Sequence, residues 1–217
     1  MEMIKRDFVV LILILSTTML MAQKSSEYGE KVLYNLPVSL SYMGDYLGTK
    51  PGLNITFENS LKKTYLTKKN SKIVEKTLYN PINLGWYNHK GYNSALILSS
   101  GIGLRKTRQS GFITGIQVDL GLMRTFIHGT TYNVEENGEV STVAGGYFYG
   151  NIAFSLEAGW DFSKANEELP LSTFVRLKPL VQFPYNGGSL IHIMAELGLR
   201  TSLPFQKEIN EYHKSKN

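Results

Sequence analysis

Seven charged residues stand out by their placement: Arg105, Asp119, Glu157, Arg176, Lys178, Glu196 and Arg200. Each falls on the polar side of a run in which apolar and polar residues alternate. A period of two is the mark of a β-strand, whose side chains point by turns to opposite faces. If those strands close into a ring, the seven face one another inside it. Unpaired charge away from water is prohibitive, so the mixed signs predict an internal network of ion pairs and hydrogen bonds. Such a cluster is the raw material of a polar pocket or a proton path. The expected reading is a satisfied core, because side chains fill the interior of a ring of about eight strands.

Nucleophilic chemistry has thinner support. The histidines are His89, His128, His192 and His213, none in a His-x-Ser arrangement, and there is no Gly-x-Ser-x-Gly elbow. His89, His128 and Asp45 are expected near one rim, where a lipid-modifying enzyme would work. A histidine beside a tight turn is more often an ordinary loop residue, and a site needs nucleophile, base and orienting group together. No catalytic residue is assigned. Metal-ligand spacing, a phosphate loop and nucleic-acid motifs are absent, so no cofactor is expected. Gly101-x-Gly103 lies mid-strand with no helix after it.

The elements that position these groups are organised around Phe112–Phe126. There Phe112, Thr114, Ile116, Val118, Leu120 and Leu122 alternate with Ile113, Gly115, Gln117, Asp119, Gly121, Met123 and Thr125. The apolar side is long enough to cross a hydrocarbon layer, and the other is small and polar. Similar strands are read at Val38–Met43, Leu53–Glu58 (fading into Leu61–Tyr65), Leu78–Trp86, Ala95–Arg105, Tyr147–Trp160, Leu171–Phe183 and Ile191–Phe205. The fold class is therefore all-β: an up-and-down antiparallel transmembrane β-barrel of about eight strands. Residues 130–142 form the longest polar loop and the place for an extracellular partner. Lys62–Lys76, the most basic run, reads as a solvated hairpin tip. The tight turn is Tyr185–Gly188.

Composition agrees. With 217 residues, 20 glycines, 12% aromatics and no cysteine, the chain suits one barrel and excludes disulfides and thiolate metal sites. A mean hydropathy of -0.15 excludes a bundle of membrane helices. The net charge of +5 is too small to argue nucleic acid. Lys5 and Arg6, then the apolar run Phe8–Leu15, then Ser16–Ala22 make residues 1–22 an export signal. Residues 23–36 form a periplasmic lead-in, 37–205 the barrel and 206–217 a polar tail.

Two features follow without having been used to build the assignment. Gly85, Gly101, Gly103, Gly115, Gly121, Gly159 and Gly198 all fall on the inward parity, with Gly150 the outward exception. Aromatics gather in two bands: Trp86, Tyr92, Phe126, Tyr147 and Tyr185 at one end, Phe112, Trp160, Phe162 and Phe205 at the other.

Across Val38–Phe205, the segments SYMG, PGL, NLGWYNH, SGF and GWDF sit on this frame in a pattern that resembles the small outer-membrane β-barrel proteins of Gram-negative bacteria. The resemblance implies an outer-membrane location after signal removal, contact with outer-membrane lipid, and recognition of the closing strand by the barrel-assembly machinery. Leu197, Leu199, Leu203 and Phe205 fit the recognised closing pattern; Pro204 and the tail depart from it. A structural or interaction role without an open pore is expected. The competing expectations are a lipid A-modifying enzyme, a narrow channel, and a soluble exported lipocalin-like binder that turns its apolar parity inward.

Overall fold

Residues 33–45, 48–67, 73–134, 138–143, 145–166 and 168–206 are described by the computed structural model. The signal segment, most of the lead-in, the tip of the lysine run and the tail from residue 207 lie outside them. Contacts separate the barrel, Leu36–Leu203, from a unit made of the two chain ends. Of the latter only the outermost residues of the first and last strands are described.

Among the described residues ten strands form: β1 (Leu33–Asp45), β2 (Gly52–Thr67), β3 (Ile73–His89), β4 (Asn93–Arg108), β5 (Phe112–Ile127), β6 (Thr131–Val134), β7 (Val140–Val143), β8 (Phe148–Asp161), β9 (Leu171–Tyr185) and β10 (Gly188–Gln206). Eight close into a barrel in the order β1-β10-β9-β8-β5-β4-β3-β2, every measured pair antiparallel. The other two, β6 and β7, pair with each other. Within 130–142, expected as a plain loop, residues 131–134 thus form a strand that pairs with 140–143 in the β5–β8 connection. Its short strands, Thr131–Val134 and Val140–Val143, are too brief for a period to show. We call the end carrying the β1–β2, β3–β4, β5–β8 and β9–β10 connections the loop end, and the opposite one the terminal end.

Alternation decides which way each strand faces. Leu40, Ile55, Leu84, Leu104, Ile116, Val118, Leu120, Phe154, Leu177, Ile193 and Leu197 are exposed on the outside. Their neighbours Ser41, Asn54, Thr56, Asn83, Gln117, Asp119, Ser155, Arg176 and Glu196 are buried within. The apolar parity therefore points out, and the lipocalin-like arrangement with leucines at the axis is excluded.

Two local departures have physical causes. In β2 the pairing with β3 slips between Ser60 and Lys62. The extra residue, Leu61, makes a bulge and ends the clean alternation, although the strand continues through the lysines to Thr67. In β3, Pro81 interrupts the ladder because it has no N–H to give. Asn80 Nδ2 instead donates to the Gly101 carbonyl at 2.6 Å and to Ser100 Oγ at 3.1 Å. At the β9–β10 turn, Asn186 and Gly187 adopt φ of 47° and 79°, the left-handed pair that two-residue hairpins favour.

The inward glycines make room for rings. A Cβ on Gly103 would strike the Tyr79 ring, and one on Gly198 would meet Phe174 Cζ at 2.5 Å and Ser41 Cβ at 2.7 Å. Gly198→Val is expected to destabilise the barrel by about 1–3 kcal/mol through overpacking. The measurement is the temperature at which the folded, fast-migrating gel band is lost; an unchanged temperature would refute the close packing of Phe174.

Candidate functional site

The lumen is built in two layers. Nearer the terminal end lie the charged groups. Glu157, on β8, accepts from Arg105 Nε at 3.0 Å, Arg176 Nη2 at 2.7 Å and Arg200 Nη2 at 2.7 Å. Glu58, on β2, takes a two-pronged contact from Arg105 at 2.6 and 2.7 Å and a third from Arg200 Nε at 3.0 Å. Glu196 accepts from Arg176 Nη1 at 2.8 Å, Lys178 Nζ at 3.3 Å and Ser41 Oγ at 3.4 Å. Asp119, 0% exposed, joins through Gln117, whose Nε2 donates to both carboxylate oxygens at 3.0 and 2.8 Å.

Six of the seven residues singled out in the sequence are thus joined by ion pairs, and Asp119 stands beside them without one. Sequence reading omitted Glu58. It left four cations against three carboxylates, and that imbalance was the available signal, since Glu58 sits on the inward parity of β2. With it, the buried charged set balances: Arg105, Arg176, Lys178 and Arg200 against Glu58, Asp119, Glu157 and Glu196. Two aromatic rings brace the guanidiniums. Arg105 lies 4.4 Å from the Tyr79 centroid, while Arg176 and Arg200 flank Phe174 at 4.8 and 4.7 Å.

Above this layer, toward the loop end, Met43, Tyr87, Ala95, Ile97, Met123, Ala153, Leu180 and Met194 pack into one buried apolar cluster. Over it sits a small polar cap. Lys50 Nζ donates to His192 Nδ1 at 2.9 Å, and His192 Nε2 then donates to Gln182 Oε1 at 2.9 Å. Lys50 comes from the β1–β2 turn, where partial burial lowers its pKa against the pull of Asp45. Burial pushes the Asp45 carboxyl up, but hydrogen bonds from the Thr49 hydroxyl and N–H and from the Lys50 N–H outweigh it and hold the pKa below its ordinary value.

His89, His128 and Asp45 all lie at the loop end, but no hydrogen bond joins them. Asp45 serves its own turn, and His89 stacks on Tyr92 at 4.5 Å. His128 Nε2 meets Ser94 Oγ at 2.7 Å, a pairing no sequence spacing announced. Of the loop-end aromatic band, Trp86, Tyr92, Phe126 and Tyr147 are exposed. Tyr185 differs: its ring packs at 6.0 Å on Tyr149, which rests against the apolar cluster.

No family model matches the chain, and no curated protein matches it. Among solved structures it is similar to neisserial surface protein A (TM-score 0.39, 11% identity, 77% of this chain and 94% of that one). It is similar also to the N-terminal β-barrel domain of Pseudomonas aeruginosa OprF (0.36, 13%, 78% and 100%) and to the Yersinia pestis outer membrane protein Ail (0.34, 10%, 80% and 100%).

Glu157→Gln leaves three guanidiniums facing a neutral amide. It is expected to lower stability by about 3–5 kcal/mol, as breaking a buried pair does. Asp119→Asn, which breaks no ion pair, should cost clearly less, and Glu196→Lys should prevent folding altogether. Denaturant titrations of the refolded variants check this; equal losses for the first two would show that ion pairing is not what the carboxylates supply.

Proposed function

We propose that the chain is an integral outer-membrane barrel with a sealed lumen and a structural or interaction role at the cell surface. The observation that carries this reading is the contrast between its two faces. An apolar belt covers the outside of a ring that holds its buried charges within, and the outward cations Lys106 and Arg124 stand near strand ends. Water favours the reverse arrangement, and hydrocarbon favours this one. The barrel strands run 13 to 19 residues, longer than the roughly 9–11 that cross a bilayer at the usual tilt. Their ends therefore project past the acyl chains on both sides.

The export signal at residues 1–22 supports delivery to this membrane. Both chain ends belong at the periplasmic side, so the loop end faces outward. There the β6–β7 hairpin presents Tyr132, Val134 and Val140, exposed by 62%, 66% and 62%, as the surface for an extracellular partner. The closing strand β10 is the segment offered to the assembly machinery, and outer-membrane lipid is the partner of the belt. The apolar layer around Met123 and Leu180 argues against a channel, since an ion crossing it would lose its hydration with nothing to replace it.

Fractionation is expected to recover the mature chain with the outer membrane, resistant to carbonate and released by detergent. Recovery in the soluble periplasmic fraction would overturn the assignment. In planar bilayers the purified protein should give no sustained single-channel current, and a reproducible step conductance would disprove the seal.

A further inference from the structure

One contact at the loop end is used neither by the lumen nor by the belt. Ser94 Oγ and His128 Nε2 are 2.7 Å apart, the contact through which a histidine activates a serine. The backbone beside the pair is pinned: the His128 main-chain N–H donates to the Tyr92 carbonyl at 2.9 Å, tying the residue just past β5 to the β3–β4 turn. In register, Asn88 pairs with Ser94, and Ser94 pairs with Phe126. Asn88, Ser94 and Phe126 therefore form one row across β3, β4 and β5, and His128 follows just past the end of β5. The Asn88 Oδ1 atom is buried and makes no hydrogen bond, so no partner of that oxygen fixes how the amide is turned.

The geometry points to a serine acyl-ester hydrolase site on the outside of the barrel, with Ser94 as nucleophile, His128 as base and Asn88 as oxyanion donor. The inference rests on the membrane embedding proposed above. Ser94 stands one outward residue beyond Leu96, level with Phe126, at the upper edge of the apolar belt. An acyl ester in the facing leaflet carries its carbonyl at that boundary. Arg124 lies on the same face, its guanidinium 4.7 Å from the Phe148 centroid and 5.5 Å from that of Phe126. It supplies a cation for an acidic headgroup. The substrate class is accordingly an acyl ester of an anionic amphiphile.

In the first step Ser94 Oγ bonds to the ester carbonyl carbon while its proton passes to His128 Nε2. Asn88 Nδ2 donates to the oxyanion. The carbon–oxygen bond to the alcohol breaks, and the alcohol leaves with the proton from His128. Water then attacks the acyl-serine and gives its proton to His128. The bond to Oγ breaks, Ser94 recovers its proton, and a free fatty acid departs.

The test uses the full mature chain in vesicles of phosphatidylglycerol, which serve as both membrane and substrate, with a fluorophosphonate as active-site probe. Wild type should release fatty acid and carry the phosphonate on Ser94, located by peptide mass. S94A should lose the adduct, and S94A and H128A should each lower release at least about a hundredfold. N88A should lower kcat about a hundredfold with little change in KM. All variants should keep the heat-sensitive gel mobility of a folded barrel. Embedded wild type that takes no phosphonate on Ser94, or S94A that releases fatty acid as wild type does, would overturn the site. Failure of wild type to enter the vesicles at all would instead overturn the embedding, and the site with it.

Discussion

Everything inside this barrel answers to one carboxylate. Glu157 accepts from Arg105, Arg176 and Arg200, side chains from three other strands, in the buried interior of the ring. Charges removed from water must be neutralised by partners of good geometry or they will not stay. Glu58 and Glu196 extend the same arrangement to β2 and to Lys178, and the result is a buried set with no net formal charge. The glycines follow from this. Guanidiniums in a narrow ring need flat neighbours, and Tyr79 and Phe174 lie flat because Gly103 and Gly198 leave them room.

Alternation is a strong signal when both faces of a strand are chemically distinct, and here they are. For that reason Phe112–Phe126 and Ile191–Arg200 could be assigned inside and outside faces directly, and the eight barrel strands were legible from residue order. What escaped was whatever depends on contacts between distant segments. Glu58 ends a short visible run just before the bulge at Leu61, so its place in the charge balance was overlooked although its parity was plain. The β6–β7 hairpin has strands too brief to show a period. Ser94 and His128 are far apart in the chain and meet only because the register of β4 against β5 sets Ser94 opposite Phe126. No local pattern encodes a register.

The layered lumen and the loop-end rim divide the work of the molecule. An apolar stopper of methionines and small residues lies over the ion pairs, and Lys50 with His192 caps the stopper. Interior chemistry is thereby sealed from the loop end. At the loop end that leaves the outer surface of the barrel and its projecting hairpin open to contact. The arrangement of Asn88, Ser94 and His128 lies on that accessible side.

The cross-linking by Glu58 and Glu157 also bears on how the ring can come together. Arg176 and Lys178 meet carboxylates on neighbouring strands, whereas Arg105 and Arg200 reach Glu58 and Glu157 on strands that are not their neighbours in the ring. With the embedding proposed above, a partial sheet lacking β2 and β8 would leave the Arg105 guanidinium with no carboxylate opposite it. Closure of the ring is therefore favoured over an open sheet, since only the ring gives both Arg105 and Arg200 all of their carboxylate partners.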